Sequence, residues 1–553
     1  MHRNFDALVI GSGAAGSFAA KELAQRGLEV LLLEAGPDIT EDDFKAIPAS
    51  LSQKGVGLLP RILAGLQGQH IQARVAFFGK QFKHLFVNDR QHPYTTPPDD
   101  FFLWIRGRQL GGRLHTYGRV LLRMTDYDLK AASRDGYGED WPISYDDLAP
   151  YYSQVEKFLG VYGTEDHIRN LPGGCYPNKP KLTAAEQAFK AKVEDKWPDR
   201  SVVSWRYAAP NLKRVPLPLL AAKQTGRLTI RTDAIVKKIT VDSSTGKATG
   251  AEFIDRLTRK TETVSANVVV LCASTIESVR LLLNSASPKH PNGVGNSTGL
   301  LGRYFMDQCP SLIFGKVPGT NGWEPDDSAP PDPFYVPSGG VYIPRFQNLD
   351  TVTNPQFKRG FAFQGTVGRG YVPHDRPAMF GMMGFGETLP YRDNSITLNP
   401  RRKDAWGIPV PHLKCSLTIN EHALLREQMR SVKEMVTHCG YKIDFEGSTF
   451  GLVNGKQAFP EADWLSRLMF RMSFKNSMAI GAAIHECGGA RMGNDPTKSV
   501  LNSYNQCWDV KNLFVTDGSS FPSSGTVGPA LTIMALTVRA CDYIAKEYKA
   551  NAL

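Results

Sequence analysis

The sequence predicts an α/β protein in which a parallel-sheet nucleotide-binding domain is assembled from discontinuous segments, with a second domain of antiparallel sheet and helices inserted into it. Three observations carry this. An apolar run at Ala7–Ile10 breaks at Gly11-Ser12-Gly13-Ala14-Ala15-Gly16, and a second run at Val30–Leu33 ends on Glu34. Strand-like text of the same kind returns at 228–271 and again in "KNLFVTDGSSFPSS" (511–524). Between 311 and 475 the pattern changes to alternating stretches such as "FGMMGFGE" and "NSITLNP", with one long amphipathic segment, "NEHALLREQMRSVKEMVTHCG". Alternation marks half-buried antiparallel strands, whereas unbroken apolar runs mark strands buried on both faces.

The first 36 residues read as strand, turn, helix and strand. Phe18, Ala19 and Leu23 recur at helical spacing, and Gly27 suits the position just past a helix C-terminus. The turn fits G-x-G-x-x-G, the Rossmann-like fingerprint, and Glu34 lies 18 positions beyond Gly16 (34 − 16). An acid about 20 residues past the motif reaches a ribose hydroxyl, while the glycines let a pyrophosphate approach unpaired N–H groups at the helix N-terminus. Gly11, Gly13, Ala14, Ala15, Gly16 and Glu34 are therefore expected to hold a dinucleotide. Alone, the motif fits NAD and FAD equally.

In the middle of the chain, "LTIRTDAIVKKITVD", a turn at "SSTGKATG", "AEFIDR" and "ANVVVLCAS" predict a hairpin feeding a buried parallel strand, followed by the helix "IESVRLLLNS". After 511 a short strand ends at Asp517-Gly518, and "ALTIMALTVRACDYIAKEY" supplies a last helix. These pieces place the nucleotide domain at 1–310 and 476–553, with excursions in 40–100 and 160–225, and the substrate domain at 311–475. The Pro/Gly-rich stretch 328–340 reads as a loop or boundary.

Composition excludes several classes. Hydrophobic content of 42% and charged content of 22% belong to an ordinary globular chain. The net charge of +11 is scattered rather than blocked, so it reads as a surface bias suited to an acidic partner, not as a nucleic-acid footprint. The eight cysteines form no C-x-x-C, which argues against zinc, iron–sulfur or c-type haem ligation, and reduced core thiols are expected. No metal site is expected. The absence of an 18-residue apolar run predicts no membrane span, and the early first strand predicts no signal peptide. By its own sequence the chain is expected in the cytoplasm, or in the periplasm if exported with a signal-bearing partner.

Five ordered segments resemble the glucose–methanol–choline (GMC) flavin oxidoreductases: the opening turn, "GRQLGGRLHTYGRVLLRMTDYDL" (107–129), "DWPISYDDLAPYY" (140–152), "VVLCASTIESVRLLLNS … GLLGRYFMD" (269–307) and "HECGGARMG … NLFVTDGSSFPSSGTVGPALTIMAL" (485–536). The resemblance covers the chain end to end, loosely in 311–475. It is nearest to the bacterial branch of pyranose oxidases, glucoside 3-dehydrogenases and the large subunits of gluconate- and sorbitol-type dehydrogenases.

That resemblance implies FAD in the opening site and oxidation of a sugar or glycoside hydroxyl. It implies that Val236 contacts adenine through its backbone, that Gly111 and Gly112 of "LGGRLHTYG" wrap the flavin ring, and that Asp517 binds the ribityl chain. It makes His485 the catalytic base. Some pyranose oxidases attach FAD through a histidine of Thr-His-Trp, but here His115 stands one position early and Thr116 fills that place, so non-covalent FAD is expected. One departure stands out. The family sets a His or Asn just before the proline of the last helix, and this chain has Gly528. Thr526, a backbone group, water, or a residue of the inserted domain such as His412 or Glu387 is left to take that role. Dioxygen, a quinone or a protein is the implied electron acceptor, and a small export-signal-bearing subunit and a cytochrome c subunit are the implied partners. Three other readings remain: another polyol or gluconate-type dehydrogenase, an NAD-linked enzyme, and a non-catalytic flavin electron-transfer subunit.

Overall fold

The structure, a computed structural model, describes all residues except 1–4, 45–57, 76–77, 80–81, 212, 323–338, 370–371, 373, 454–457, 460 and 462. The Pro/Gly-rich stretch therefore lies outside the described residues up to 338.

The first sheet runs in space Leu228–Arg231, Val30–Leu33, Phe5–Ile10, Thr261–Leu271, with Leu513–Val515 beyond. These five strands are parallel, Ala7 pairing with Val30 on one side and Val268 on the other. Alternate residues on each strand face opposite ways, and both faces are covered. Ala7, Val9, Val30, Leu32, Val268 and Val270 pack with Ala15, Ala19 and Leu23 of the helix Ala14–Gln25 and with Ile544 of the helix Ala530–Lys549. Leu8, Ile10, Leu31, Leu33, Val269 and Leu271 pack on the opposite side with Ala234, Ala251, Phe253 and Val279. The N-terminal half of Thr261–Leu271 does a second job, pairing antiparallel with Ala248–Asp255, which pairs in turn with Ala234–Val241. One strand thus carries the expected hairpin and the expected parallel strand.

The second sheet is antiparallel throughout: Gly451–Leu452, Lys442–Ser448, Cys309–Val317, Ala378–Gly386, Phe361–Val367, Val341–Ile343 and Val203–Ser204 in spatial order. The helices Ile419–His438 and Ala184–Lys196 cover it, their Leu424, Met435, Phe189 and Val193 meeting Ile313, Phe363 and Phe380. Both helices open with a capping box, Thr418 with Glu421 and Thr183 with Glu186, which satisfies N–H groups that the first turn leaves unpaired. The hairpin Ser395–Lys403 and Pro409–Lys414 stands apart from this sheet and lies against the helix Thr275–Asn284. All eight cysteines are free thiols, seven of them buried.

The glycines of the opening turn divide the work. Gly11 has φ of +98°, which a side chain disfavours. A Cβ on Gly16 would sit 1.7 Å from the Gly11 carbonyl oxygen, so only glycine lets the helix close on the strand. Gly16→Ala is expected to destabilise the chain by at least the roughly 1–3 kcal/mol typical of core overpacking, seen as a lower thermal midpoint even without cofactor.

Candidate active site

The site grows from the helix N-terminus. Gly13 is the N-cap of Ala14–Gln25, and a Cβ there would touch no protein atom within 4 Å. The first N–H groups of any helix, here those of Ala14, Ala15 and Gly16, lack intrahelical acceptors. They form with bare Gly13 a cradle suited to an anion. Ser12 ties three parts of it together: its N–H donates to Glu34 Oε2 at 3.1 Å, its hydroxyl donates to the same oxygen, and its Oγ accepts the Gly111 N–H at 2.9 Å. The Gly36 N–H donates to Glu34 Oε1 at 2.9 Å. Burial pushes the Glu34 carboxyl above its ordinary value, against these hydrogen bonds. Ala234, two residues before Val236, donates its N–H to the Glu34 carbonyl at 2.9 Å, which sets Val236 at the Glu34 end of the site with its main chain paired to Phe253.

A second glycine turn lies on the first. Gly111 and Gly112 have φ of +92° and +51°, and a Cβ on Gly112 would come 3.5 Å from Gly13 Cα. His115 folds back over this turn, Nε2 donating to the Leu110 carbonyl at 2.8 Å, and burial lowers its imidazole to about 4. Buried Thr116 closes the turn with its N–H donating to the Arg113 carbonyl at 3.0 Å. Arg113, which the sequence did not single out, reaches onward: Nη1 pairs with Glu486 Oε2 at 2.7 Å and Nη2 donates to Ser274 Oγ at 3.0 Å. Ser274 itself has φ of +75° and Ile484 one of +60°. Strained backbone of this kind clusters at functional sites, and a branched residue such as Ile484 is especially rare there.

Glu486 adjoins His485, so one path of contacts joins the opening turn to the imidazole. Asp517 lies on the same path. It is buried, Oδ1 accepts from the Ser519 N–H at 3.0 Å and hydroxyl at 2.6 Å, Oδ2 accepts from Ser278, and burial raises its carboxyl. It thereby caps the short helix Gly518–Ser520, and a Cβ on Gly518 would lie 2.9 Å from the Glu486 carbonyl.

His485 is held from two sides. Its N–H donates to Asp307 Oδ1 at 2.9 Å, and its Nδ1 lies 2.6 Å from Gln308 Oε1. Phe385 of the second sheet tilts against the ring, centroids 5.1 Å apart. Burial first, then the Arg113 charge, lowers the imidazole to about 3. Asp307 is enclosed, and burial reinforced by Glu486 raises it to about 8. A Cβ on Gly528 would stand 3.3 Å from His485 Nε2, so the family's missing second group would belong beside this nitrogen. Thr526 is buried. Glu387 has no accessible surface and is paired with Arg359 at 3.2 Å; His412 Nδ1 bonds Thr95 Oγ1 at 2.9 Å on the separate hairpin. Asp307, Gln308, Ser12 and Arg113 are the site residues that sequence reasoning missed. Ser12 and Arg113 lie unremarked inside the opening turn and the 107–129 segment, and the "GLLGRYFMD" landmark ends on Asp307, one residue before Gln308.

Residues 5–303 and 390–537 match the two family models described as GMC oxidoreductase. The chain belongs to the GMC oxidoreductase family. It is 28% identical to 2-methyl-1,2-propanediol dehydrogenase of Mycolicibacterium austroafricanum, with 98% of this chain and 95% of that one covered. To the fructose dehydrogenase large subunit of Gluconobacter japonicus the identity is 23%, with 98% of each covered. A variant of Aspergillus oryzae formate oxidase studied for FAD modification shares the fold, with a TM-score of 0.66 at 14% identity over 100% of both chains. This GMC oxidoreductase is thus an FAD enzyme that acts on CH–OH groups, and NAD is set aside. The open cradle at Gly13, the helix N-terminus and the adjoining 111–112 turn fit that cofactor. Among the described residues no helix is long and apolar enough to cross a membrane, and no group of three or more His, Cys, Asp or Glu could hold a metal.

Two outcomes follow. Gly13→Ala should leave the thermal midpoint of the flavin-free chain unchanged while most bound FAD is lost, the reverse of Gly16→Ala. The depressed imidazole has its own signature. Between about pH 6.5 and its folded value the unfolded chain binds a proton at His485 that the folded chain does not, so stability falls as pH drops through that window. Denaturation of wild type and His485→Asn at pH 7.5 and 5 should show the variant losing less on acidification.

Proposed function

We propose that this GMC oxidoreductase oxidises a secondary hydroxyl of a sugar or glycoside to a ketone, in the manner of a glucoside 3-dehydrogenase or pyranose oxidase, with His485 as general base. The observation that supports this best is the bare space at Gly528 beside His485 Nε2. A carbinol carbon with two carbon substituents needs more room at the base than a primary alcohol does, and glycine leaves it.

The cradle of Gly11, Gly13, Ala14, Ala15, Gly16 and Glu34 is assigned to the ADP half of FAD, with Val236 at the adenine. Gly111, Gly112, Thr116 and Asp517 are assigned to its other half. FAD, when bound, supplies the acceptor for the hydride equivalent that leaves the carbinol carbon. His485 Nε2 takes the proton from the hydroxyl oxygen as the hydride leaves the carbon, so the CH–OH group as a whole gives up one proton and one hydride and becomes a carbonyl. General-base assistance of this type contributes roughly 10²–10⁴-fold. His115 spends its Nε2 on Leu110, which favours non-covalent FAD. Thr526 is proposed to line the cavity beside Gly528. Electrons then pass to dioxygen, a quinone or a haem protein. That one relative is a large subunit supports a partner subunit; the proposed partners are a small export-signal-bearing subunit and a cytochrome subunit, and a periplasmic location would follow from co-export.

Anaerobic mixing with a panel of sugars and glycosides should bleach the flavin for the right class, and the product's carbonyl position identifies the hydroxyl. Bleaching by primary alcohols alone would overturn the reading. His485→Ala should keep its FAD and lose at least about 100-fold in the rate of flavin reduction.

A further inference from the structure

Gln308 stands at a junction. Its Oε1 lies 2.6 Å from His485 Nδ1, while its Nε2 donates to the carbonyls of Gly525 at 2.8 Å, Val527 at 3.0 Å and Ser524 at 3.4 Å. The side chain is fully buried. We propose that Gln308 is a positioning residue that fixes His485 as the tautomer protonated on Nδ1, leaving the Nε2 lone pair bare beside Gly528, and that it ties this choice to the 524–527 loop.

The reasoning is an account of donors and acceptors. A carbonyl oxygen can only accept, so the amide end facing three of them must be the NH₂. Turning the amide over would set its oxygen against those carbonyls and forfeit all three of these bonds for a single one to Nδ1. The oxygen is therefore fixed towards His485, and Nδ1 must be the donor across 2.6 Å. A neutral imidazole carries one proton. With that proton on Nδ1, Nε2 is an acceptor, on the side of the ring where Gly528 adds no side chain.

The choice of an amide has a further consequence. A carboxylate on Nδ1 would favour the imidazolium and raise its pKa, whereas an uncharged amide orients the ring and leaves it neutral. Among the groups around the ring, Arg113 opposes protonation, its partner Glu486 offsets that charge, and Asp307 bonds only the main-chain N–H of His485. The ring contact from the second sheet, Phe385, carries no charge. Orientation without charge is what a base that must be neutral before reaction requires.

The proposal rests on His485 being the base, and the test separates the two. The ¹⁵N spectrum of selectively labelled histidine, with His485 assigned by its loss in His485→Ala, should show in the wild-type holoenzyme a protonated Nδ1 and an unprotonated Nε2 between pH 6 and 9. The opposite pattern, or a mixture, overturns the assignment whatever the activity. Gln308→Met should abolish the single tautomer and lower the flavin reduction rate about 10- to 100-fold, the cost typical of losing an orienting partner, with KM changed less than kcat and FAD retained. An unchanged spectrum and rate in that variant would equally overturn it. If His485→Ala reduces flavin normally, the general-base reading falls while the wild-type spectrum still judges the tautomer.

Discussion

The active site depends on one stretch of main-chain pairing between its two halves. Met306 and Cys487 exchange N–H···O bonds of 2.8 and 2.9 Å, and the Gly302 N–H donates to the Gly489 carbonyl at 2.6 Å. The register places Asp307 opposite the His485 N–H and Gln308 opposite its ring. A slip of one residue would reverse every side chain in such a pairing. The approach is close: a Cβ on Gly488 would fall 2.1 Å from the Tyr304 carbonyl. Since Cys309–Val317 starts immediately after Gln308, the same few residues also launch the second sheet. The residues that orient the imidazole are also those that lead into the second sheet.

Charge around the imidazole is arranged in neutral sets. Arg113 pairs with Glu486, and Asp307 keeps its proton up to about 8, so neither acid leaves an uncompensated negative charge against the ring. Burial then holds the ring neutral. In its proposed role as base, His485 can still accept a proton when the substrate oxygen turns anionic in the same step, because an opposite charge within about 4–6 Å favours the imidazolium. In that proposed role the ring would be stabilised only where charge separates and not in the resting state, which is the condition for rate enhancement.

Much of this was legible in the sequence where function imposes a pattern. The glycines at 11, 13 and 16 with Glu34 follow from turn geometry and anion binding, and the double use of 228–271 follows from alternation giving way to an apolar run. Gln308 and Asp307 had no such signature. Their partners lie 177 and 178 positions away, and a single Asp-Gln pair has no periodicity to mark it. Ser12 was hidden differently, standing at a variable position of G-x-G-x-x-G although its hydroxyl joins three segments. Glu387 and His412 attracted notice for their chemistry, but each already has a partner elsewhere, in Arg359 and Thr95, which only the fold reveals.

Gly528 then takes on a different meaning. A polar side chain there would crowd Nε2, since even its first carbon would stand 3.3 Å away, and it would compete with substrate for the lone pair. With glycine at 528 no side chain from that position meets Nε2, and the ring is held instead through Gln308. The three carbonyls that hold the Gln308 amide belong to residues 524, 525 and 527, the segment that leads directly into Gly528. The loop that gives up the second group is the loop that secures the first.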